Sequence, residues 1–159
     1  IGGLYGIAHD QVTYSISPEY FTKLKFHQFH YADFGLGDRV FAATIGFVAT
    51  WWVGFFAAWF LARKLIPRQA RAFAYRQVGI GFGIITCTGL VFGVVGYLVG
   101  SGGGPATDYS AWDWVTKDLA ISDVPAFVQV AIIHQGGYLG GLVGLIVTLL
   151  VLKPQPKTA

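Results

Sequence analysis

Three stretches, Val40 to Ala62, Val78 to Gly100 and Ala126 to Leu152, are apolar for longer than an ordinary core element needs to be. About 20 mostly apolar residues in a helix cross the roughly 30 Å hydrocarbon core of a bilayer. Backbone polar groups in lipid have to be satisfied within the segment, which selects helix for such a stretch. The expected fold is therefore all-α, a transmembrane helical bundle with three complete spanning helices. Composition agrees, because 54% of the 159 residues are hydrophobic and 12% are charged, against about 45–50% and 25% in soluble domains. Residues 1–159 read as a single membrane domain.

The chain contains no methionine, and Ile1 is too bulky to be the product of simple initiator removal, so residues are expected upstream. Gly2, Gly3, Leu4, Tyr5 and Ile7 read as the end of a packed membrane helix. Segment 1–9 is accordingly expected to be the truncated tail of a fourth, N-terminal spanning helix; the other reading is an end left by signal-peptide removal. Cys87, the only cysteine, lies mid-helix and says nothing about redox compartment.

Charge sets the direction of threading. Arg63, Lys64, Arg68, Arg71 and Arg76 lie in connection 63–77 with no acid among them, which makes that loop cytoplasmic by the positive-inside rule. The next connection, 101–125, holds Asp108, Asp113, Asp118 and Asp123 against Lys117 alone and belongs outside, while the tail with Lys153 and Lys157 returns to the cytoplasm. Segment 10–38 then lies outside as well. The net charge of +3 is thus a matter of topology, and no nucleic-acid partner is implied.

Local signals give the external segments structure of their own. Ser17, Pro18 and Glu19 supply a capping hydroxyl, a proline that needs no amide partner and an acid at the positive end of the helix dipole, so a short helix is expected from Pro18. Its Tyr20, Phe21, Leu24 and Phe26, mixed with Lys23 and Lys25, suit an element lying along the headgroups. Ser110 with Asp113 is a weaker capping pair, with Trp112, Trp114 and Leu119 giving a second short helix its interfacial side. Asp38 and Asp123 are placed to cap the spanning helices after them. "GSGGGP", Gly100 to Pro105, reads as a turn, since no Lys and Ser/Thr follow to make a phosphate loop.

Glycines four apart, Gly79 with Gly83, Gly89 with Gly93, Gly96 with Gly100, Gly137 with Gly141 and Gly140 with Gly144, mark faces where helices approach closely. Internal packing and contacts to neighbouring subunits both fit them. Trp51 and Trp52 fall near the middle of their helix and read either as packing residues or as the lining of a cofactor or lipid slot.

Ionisable groups inside spanning segments are costly and are functional candidates by default. His134 and Gln135 interrupt the last helix, Tyr138 shares a face with His134 one turn on, and His9 with Asp10 would emerge at the same level if segment 1–9 spans outward. A helix from Pro18 would fold Glu19 back over them. His9, Asp10, Glu19 and His134 form the candidate set, at the external boundary, for a divalent metal or for proton transfer. A haem with His9 and His134 as axial ligands and Tyr138 nearby is the third chemistry. The plainer reading is that His9 and Asp10 end a helix in water while His134 bonds a neighbouring carbonyl. His27 and His30, three apart, would share a helical face if the helix runs that far. No HExxH, CxxC, GxSxG or nucleotide fingerprint is present.

The segments "HDQVT", "SPEYFTKLKF", "ATWWVG" and "IIHQGGYLGGLVG" resemble those of a group of uncharacterised bacterial multi-helix integral membrane proteins. The resemblance implies an inner-membrane location and carries no activity with it. Two functional readings follow from the residues. The first is a membrane protein acting mainly through helix association in the lipid bilayer, as a homo-oligomer or as a small subunit of a larger complex. The alternative is an oxidoreductase or an ion or proton conduit built on His9, Asp10, Glu19 and His134; whether the chain is an enzyme stays open at this point.

Overall fold

The computed structural model describes residues 1–103 and 106–154, apart from the side chain of Arg68. Gly104 and Pro105 of the expected turn, and Lys157 of the tail, lie outside the described residues. Every regular element described is helical. Helix α1 spans Gly2–Ile16. Residues 18–28 are helical again, as a π-helical stretch over Tyr20–Lys25 leading into α2, Phe26–Gln28. The long helices are α3, Asp38–Leu65, α4, Arg71–Ser101, and α6, Val124–Val151. The short α5, Asp113–Thr116, precedes the last of them. These three long helices have the length and apolarity to cross a membrane.

The expected spans coincide with these helices, Leu152 falling at the cap of α6, with two larger differences. Helix α4 begins at Arg71 instead of Val78, because Ala74 is fully buried against Leu61 and Leu65 and Gln77 bonds the Lys153 carbonyl at 3.3 Å. The basic connection is thereby reduced to a 3-10 turn, Ile66–Arg68, and its flanks. Arg63 and Lys64 sit in the last turn of α3, where the helix dipole favours them. Arg71 at the start of α4 has no such benefit and no acid beside it, so helix electrostatics do not account for the run of cations.

The second difference concerns α1, which does not end at Asp10. It continues six residues to Ile16, about 9 Å further along its axis. Thr13 and Ser15 return their hydroxyls to the carbonyls of His9 and Gln11 (3.1 and 3.0 Å). Gln11 donates to the Arg39 carbonyl at 2.8 Å, and Arg39 returns a bond to the Gln11 carbonyl at 3.0 Å. Asp38 does not cap α3. Gly37, at φ 90°, takes that position, and Asp38 accepts the Tyr14 hydroxyl at 3.1 Å. Asp123 caps α6 as expected, accepting the Ala126 amide at 3.1 Å.

The four longest elements form two tight pairs. In the first, Gly2 and Gly6 of α1 meet Gly46, Thr50 and Gly54 of α3, each set at four-residue spacing. A Cβ on Gly46 would overlap the Gly6 carbonyl, and one on Gly2 would lie 2.8 Å from the Thr50 carbonyl oxygen. The second pair is α4 with α6, where a Cβ on Gly96 would come within 2.8 Å of the Ile132 carbonyl and one on Gly144 within 2.9 Å of the Ile85 Cα. Close backbone approach through small residues is the packing available to helices in lipid. A Cβ on Gly79, Gly83, Gly93 or Gly141 would meet nothing within 4 Å, so none of these four is required to be glycine by a close approach.

Apolar cores close both ends. Phe21, Phe127 and Val130 are fully or almost fully buried at the end carrying the acidic connection, and Leu61, Leu65 and Ala74 at the basic end. Between them the outward faces are apolar, with Phe55, Phe56, Leu90, Val94, Leu142 and Leu150 all at least half exposed. So continuous an apolar surface is foreign to a monomer in water and fits a membrane-embedded helical bundle.

Gly46→Val should lower the stability of detergent-solubilised protein by about 1–3 kcal/mol, the usual cost of overpacking. Gly79→Ala should be neutral or stabilising, since alanine is the better helix former and nothing opposes it. Thermal melts followed by circular dichroism compare the two.

Candidate functional site

His9 and Asp10 lie on α1, and His134 comes to them from α6. Asp10 and His134 are buried, with relative exposures of 5% and 7%. His134 is ten residues into α6, about 15 Å below its start, so the cluster sits inside the bundle instead of at its rim. Tyr20 stacks on the His134 ring (centroids 5.0 Å, 28°), Phe21 lies 6.2 Å from it, and Tyr20 also packs on Phe127. These aromatic rings roof the cluster on the side of the acidic connection.

The hydrogen bonds define a proton inventory. His134 Nδ1 stands 3.0 Å from the Val130 carbonyl, one turn back on α6. A carbonyl only accepts, so Nδ1 carries the proton, and in neutral imidazole the other nitrogen is then a bare acceptor. That nitrogen, Nε2, points at Asp10 Oδ1, 3.3 Å away. An ionised carboxylate is also only an acceptor. The same Oδ1 takes His9 Nδ1 at 3.2 Å. Neutral His134 and ionised Asp10 would therefore oppose two lone pairs in a buried place, and the contact is favourable only with one more positive charge there, a proton or a metal ion.

His9, Asp10 and His134 each offer one ligand atom, and the three lie within 4.8 Å of one another. A tetrahedral ion with bonds of about 2.0–2.2 Å separates adjacent ligand atoms by about 3.3–3.6 Å. The two contacts to Asp10 Oδ1, at 3.2 and 3.3 Å, are close to that edge. A histidine whose remote nitrogen donates to a backbone carbonyl is also the usual orientation of a metal ligand. Haem does not fit between these histidines. Axial imidazoles lie on opposite faces of a macrocycle, whereas these rings meet edge to face, 4.6 Å between centroids, and share one carboxylate oxygen.

Glu19 does not join the cluster. Its carboxylate accepts the Ser122 amide (2.9 Å), the Ser122 hydroxyl (2.9 Å) and the Asp123 amide (2.8 Å), and pairs with Lys23 at 2.6 Å. Lys23 also bonds the carbonyl of Ala120, a non-glycine residue at φ 48°. The start of the 18–28 segment is thereby clamped to the start of α6, and exposed backbone donors more than a hundred residues away outcompete a buried site for this carboxylate. Nor do His27 and His30 form a shared face. The helix stops at Gln28, and His30 Nδ1 turns back 3.2 Å to the His27 carbonyl.

A cleft of about 330 Å³ opens from the cluster between the two helix pairs. Tyr138, expected beside His134, lines it and is half exposed. Two groups that sequence reading passed over face it too. Tyr5, one helical turn before His9, has a buried hydroxyl with no hydrogen-bond partner among the described residues. Its position four before His9 was the available signal. Lys25 reaches the cleft from the π-helical stretch, its ammonium 5.6 Å from the Tyr20 ring centroid. Trp52 lines the cleft, as the slot reading of the mid-helix tryptophans had it, and Trp51 is half exposed.

No protein-family model, curated protein or solved structure matches the chain.

Lys23, then the Asp123 amide and the Ser122 contacts, hold the Glu19 carboxyl down at about 2. A depressed folded value means the clamp contributes fully above the ordinary carboxyl range near 4.5 and is lost as pH falls through about 2. Protection of the Ser122 and Asp123 amides, their exchange measured against the intrinsic rate at each pH, should fall over that window, and Glu19→Gln should show the lower protection already at neutral pH.

Proposed function

We propose that this chain is an integral membrane protein that binds one divalent cation inside the bundle through His9, Asp10 and His134. The observation that carries the reading is the shared Asp10 oxygen: two imidazole nitrogens converge on it, one of them fixed as a bare acceptor by the Val130 carbonyl. A two-histidine, one-carboxylate set leaves coordination positions free for an exchangeable ligand, and here they would face the cleft. In this reading α1 belongs to a fourth span and the 18–28 segment lies at the external headgroups. The basic end and the C-terminus are cytoplasmic, and the membrane is the bacterial inner membrane.

A continuous proton or ion conduit is less well supported. Thr50 donates to the Gly2 and Gly46 carbonyls (2.9 and 2.6 Å), Thr88 to Ile84 (2.8 Å) and Thr148 to Gly144 (2.7 Å). The hydroxyls of these three threonines are engaged by helix backbone.

Elemental analysis after zinc loading and dialysis in mild detergent should find close to one ion per chain. Asp10→Asn and His134→Ala should each weaken zinc binding by at least about 100-fold, beyond the usual cost of losing an outer-shell partner. Retention of less than a tenth of an ion by wild type, or equal retention by the variants, would leave the reading without support.

Self-association is the second reading, favoured by Gly79 and Gly83, which meet nothing within 4 Å, and by exposed Cys87 one further turn along the same face of α4. Oxidative cross-linking in native membranes should give a dimer that Cys87→Ser abolishes. A chain that stays monomeric under oxidant counts against α4 as the contact.

A further inference from the structure

The cleft has two unlike kinds of lining. Tyr5, Lys25 and Tyr138 line it together with the cluster, and so do the apolar Trp52, Phe56, Phe82, Leu142 and Leu145. Its volume of about 330 Å³ is at the small end of the roughly 300–1,000 Å³ seen for ligand sites, which suits one chain and not the two of a phospholipid. Tyr5 Oη is buried without a partner, and a buried hydroxyl left unmade costs about 1–3 kcal/mol. Gly89 and Gly137 border it: a Cβ on either would stand 3.5 Å from that oxygen. Two glycines thus keep clear the space around a donor that has nothing to donate to.

Lys25 is the second unmet group. Among the described residues it has no carboxylate within ion-pair distance, in contrast to Lys23 with Glu19, and its ammonium rests over the Tyr20 and Phe29 rings. Burial pushes its pKa down, opposed by the charge of Asp10. A cation held in a largely apolar place calls for an anion.

The geometry points to a single-chain amphiphile taken from the bilayer, its carboxylate headgroup held by Tyr5, Lys25 and Tyr138 and its tail laid along Trp52, Phe56 and Phe82. Complementarity decides the class: an ammonium and phenol hydroxyls donate, a carboxylate accepts from all of them with charge assistance, and the apolar walls take a tail. A neutral alcohol of the same length fills the walls and leaves Lys25 unpaired. A quinone offers acceptors without the charge. The inference goes beyond the cation site and does not require it, because these three contacts are separate from the three metal donors.

The test reads tryptophan quenching in the full chain, reconstituted in unbrominated phosphatidylcholine vesicles at neutral pH, where Lys25 carries its charge. Dibromostearate, the corresponding dibromo alcohol and a short-chain ubiquinone analogue are the probes, and metal content is measured on the same samples. Dibromostearate should quench with saturation at a concentration about tenfold below the alcohol, and Trp52→Phe should remove the saturable part. Lys25→Gln and Tyr5→Phe should each raise the dissociation constant about tenfold while leaving bound zinc unchanged. Gly141→Leu gives a check independent of the polar groups. Gly141 lines the cleft and a Cβ there meets no atom within 4 Å, so the leucine has the cleft to extend into, and the variant should keep a wild-type melt and lose the saturable quenching. Equal quenching by acid and alcohol in wild type, Lys25→Gln behaving as wild type, or displacement of dibromostearate by the quinone at lower concentration would overturn the assignment. Loss of zinc with dibromostearate binding intact would remove the cation reading alone.

Discussion

One carboxylate oxygen, Asp10 Oδ1, lies between two imidazole nitrogens inside an apolar bundle, and the rest of the arrangement follows from making that tolerable. A charge out of water is expensive unless it is paired and hydrogen-bonded. The sequence supplies the partners from two directions, His9 from the preceding position on α1 and His134 from α6. Tyr20 and Phe21 roof the group, and the glycine seams fix where α1 and α6 stand relative to their neighbours. Neither helix pair alone holds the complete set. The site therefore reports on docking of one pair against the other, and the cleft is the space left where that docking is loose.

The same geometry explains why polar groups so far from any familiar motif are placed as they are. The Val130 carbonyl fixes the His134 tautomer, and the tautomer leaves a lone pair facing a carboxylate. A proton or a metal satisfies that demand at one point. In the same cleft, Tyr5 and Lys25 make a separate demand for an acceptor carrying negative charge. An interior that is otherwise apolar thus holds two adjacent, differently charged requirements, and the proposed cation and carboxylate sites rest on them.

How much of this was legible in the sequence differs by residue. The three long helices follow from apolar length, and Ser17 with Pro18 starts the next helical segment where capping chemistry puts it, with Ser17 Oγ accepting the Tyr20 amide at 3.4 Å. His9, Asp10 and His134 could be named as candidates, because ionisable groups in apolar runs stand out, but their convergence depends on which helices pair, and no local pattern encodes that. Glu19 illustrates the difference: it is as conspicuous as Asp10, yet its partners are backbone amides of Ser122 and Asp123. Lys25 was hidden because a π-helical stretch turns its side chains away from their α-helical register. Gly2 was read as part of a packed helix, but its seam partners Gly6, Gly46 and Gly54 escaped notice since the small-residue seam alternates between two helices.

Nitrogen-15 NMR of histidine-labelled protein in bilayers, recorded before and after one equivalent of zinc, tests most directly whether the Asp10 oxygen marks a cation site. Two of the four histidines, assigned as His9 and His134 by single substitution, should shift on addition of zinc, with His134 keeping its Nδ1 proton and changing at Nε2. His27 and His30 should stay where they were. A response confined to His27 and His30, or a zinc-bound His134 that has lost the Nδ1 proton, would contradict the account.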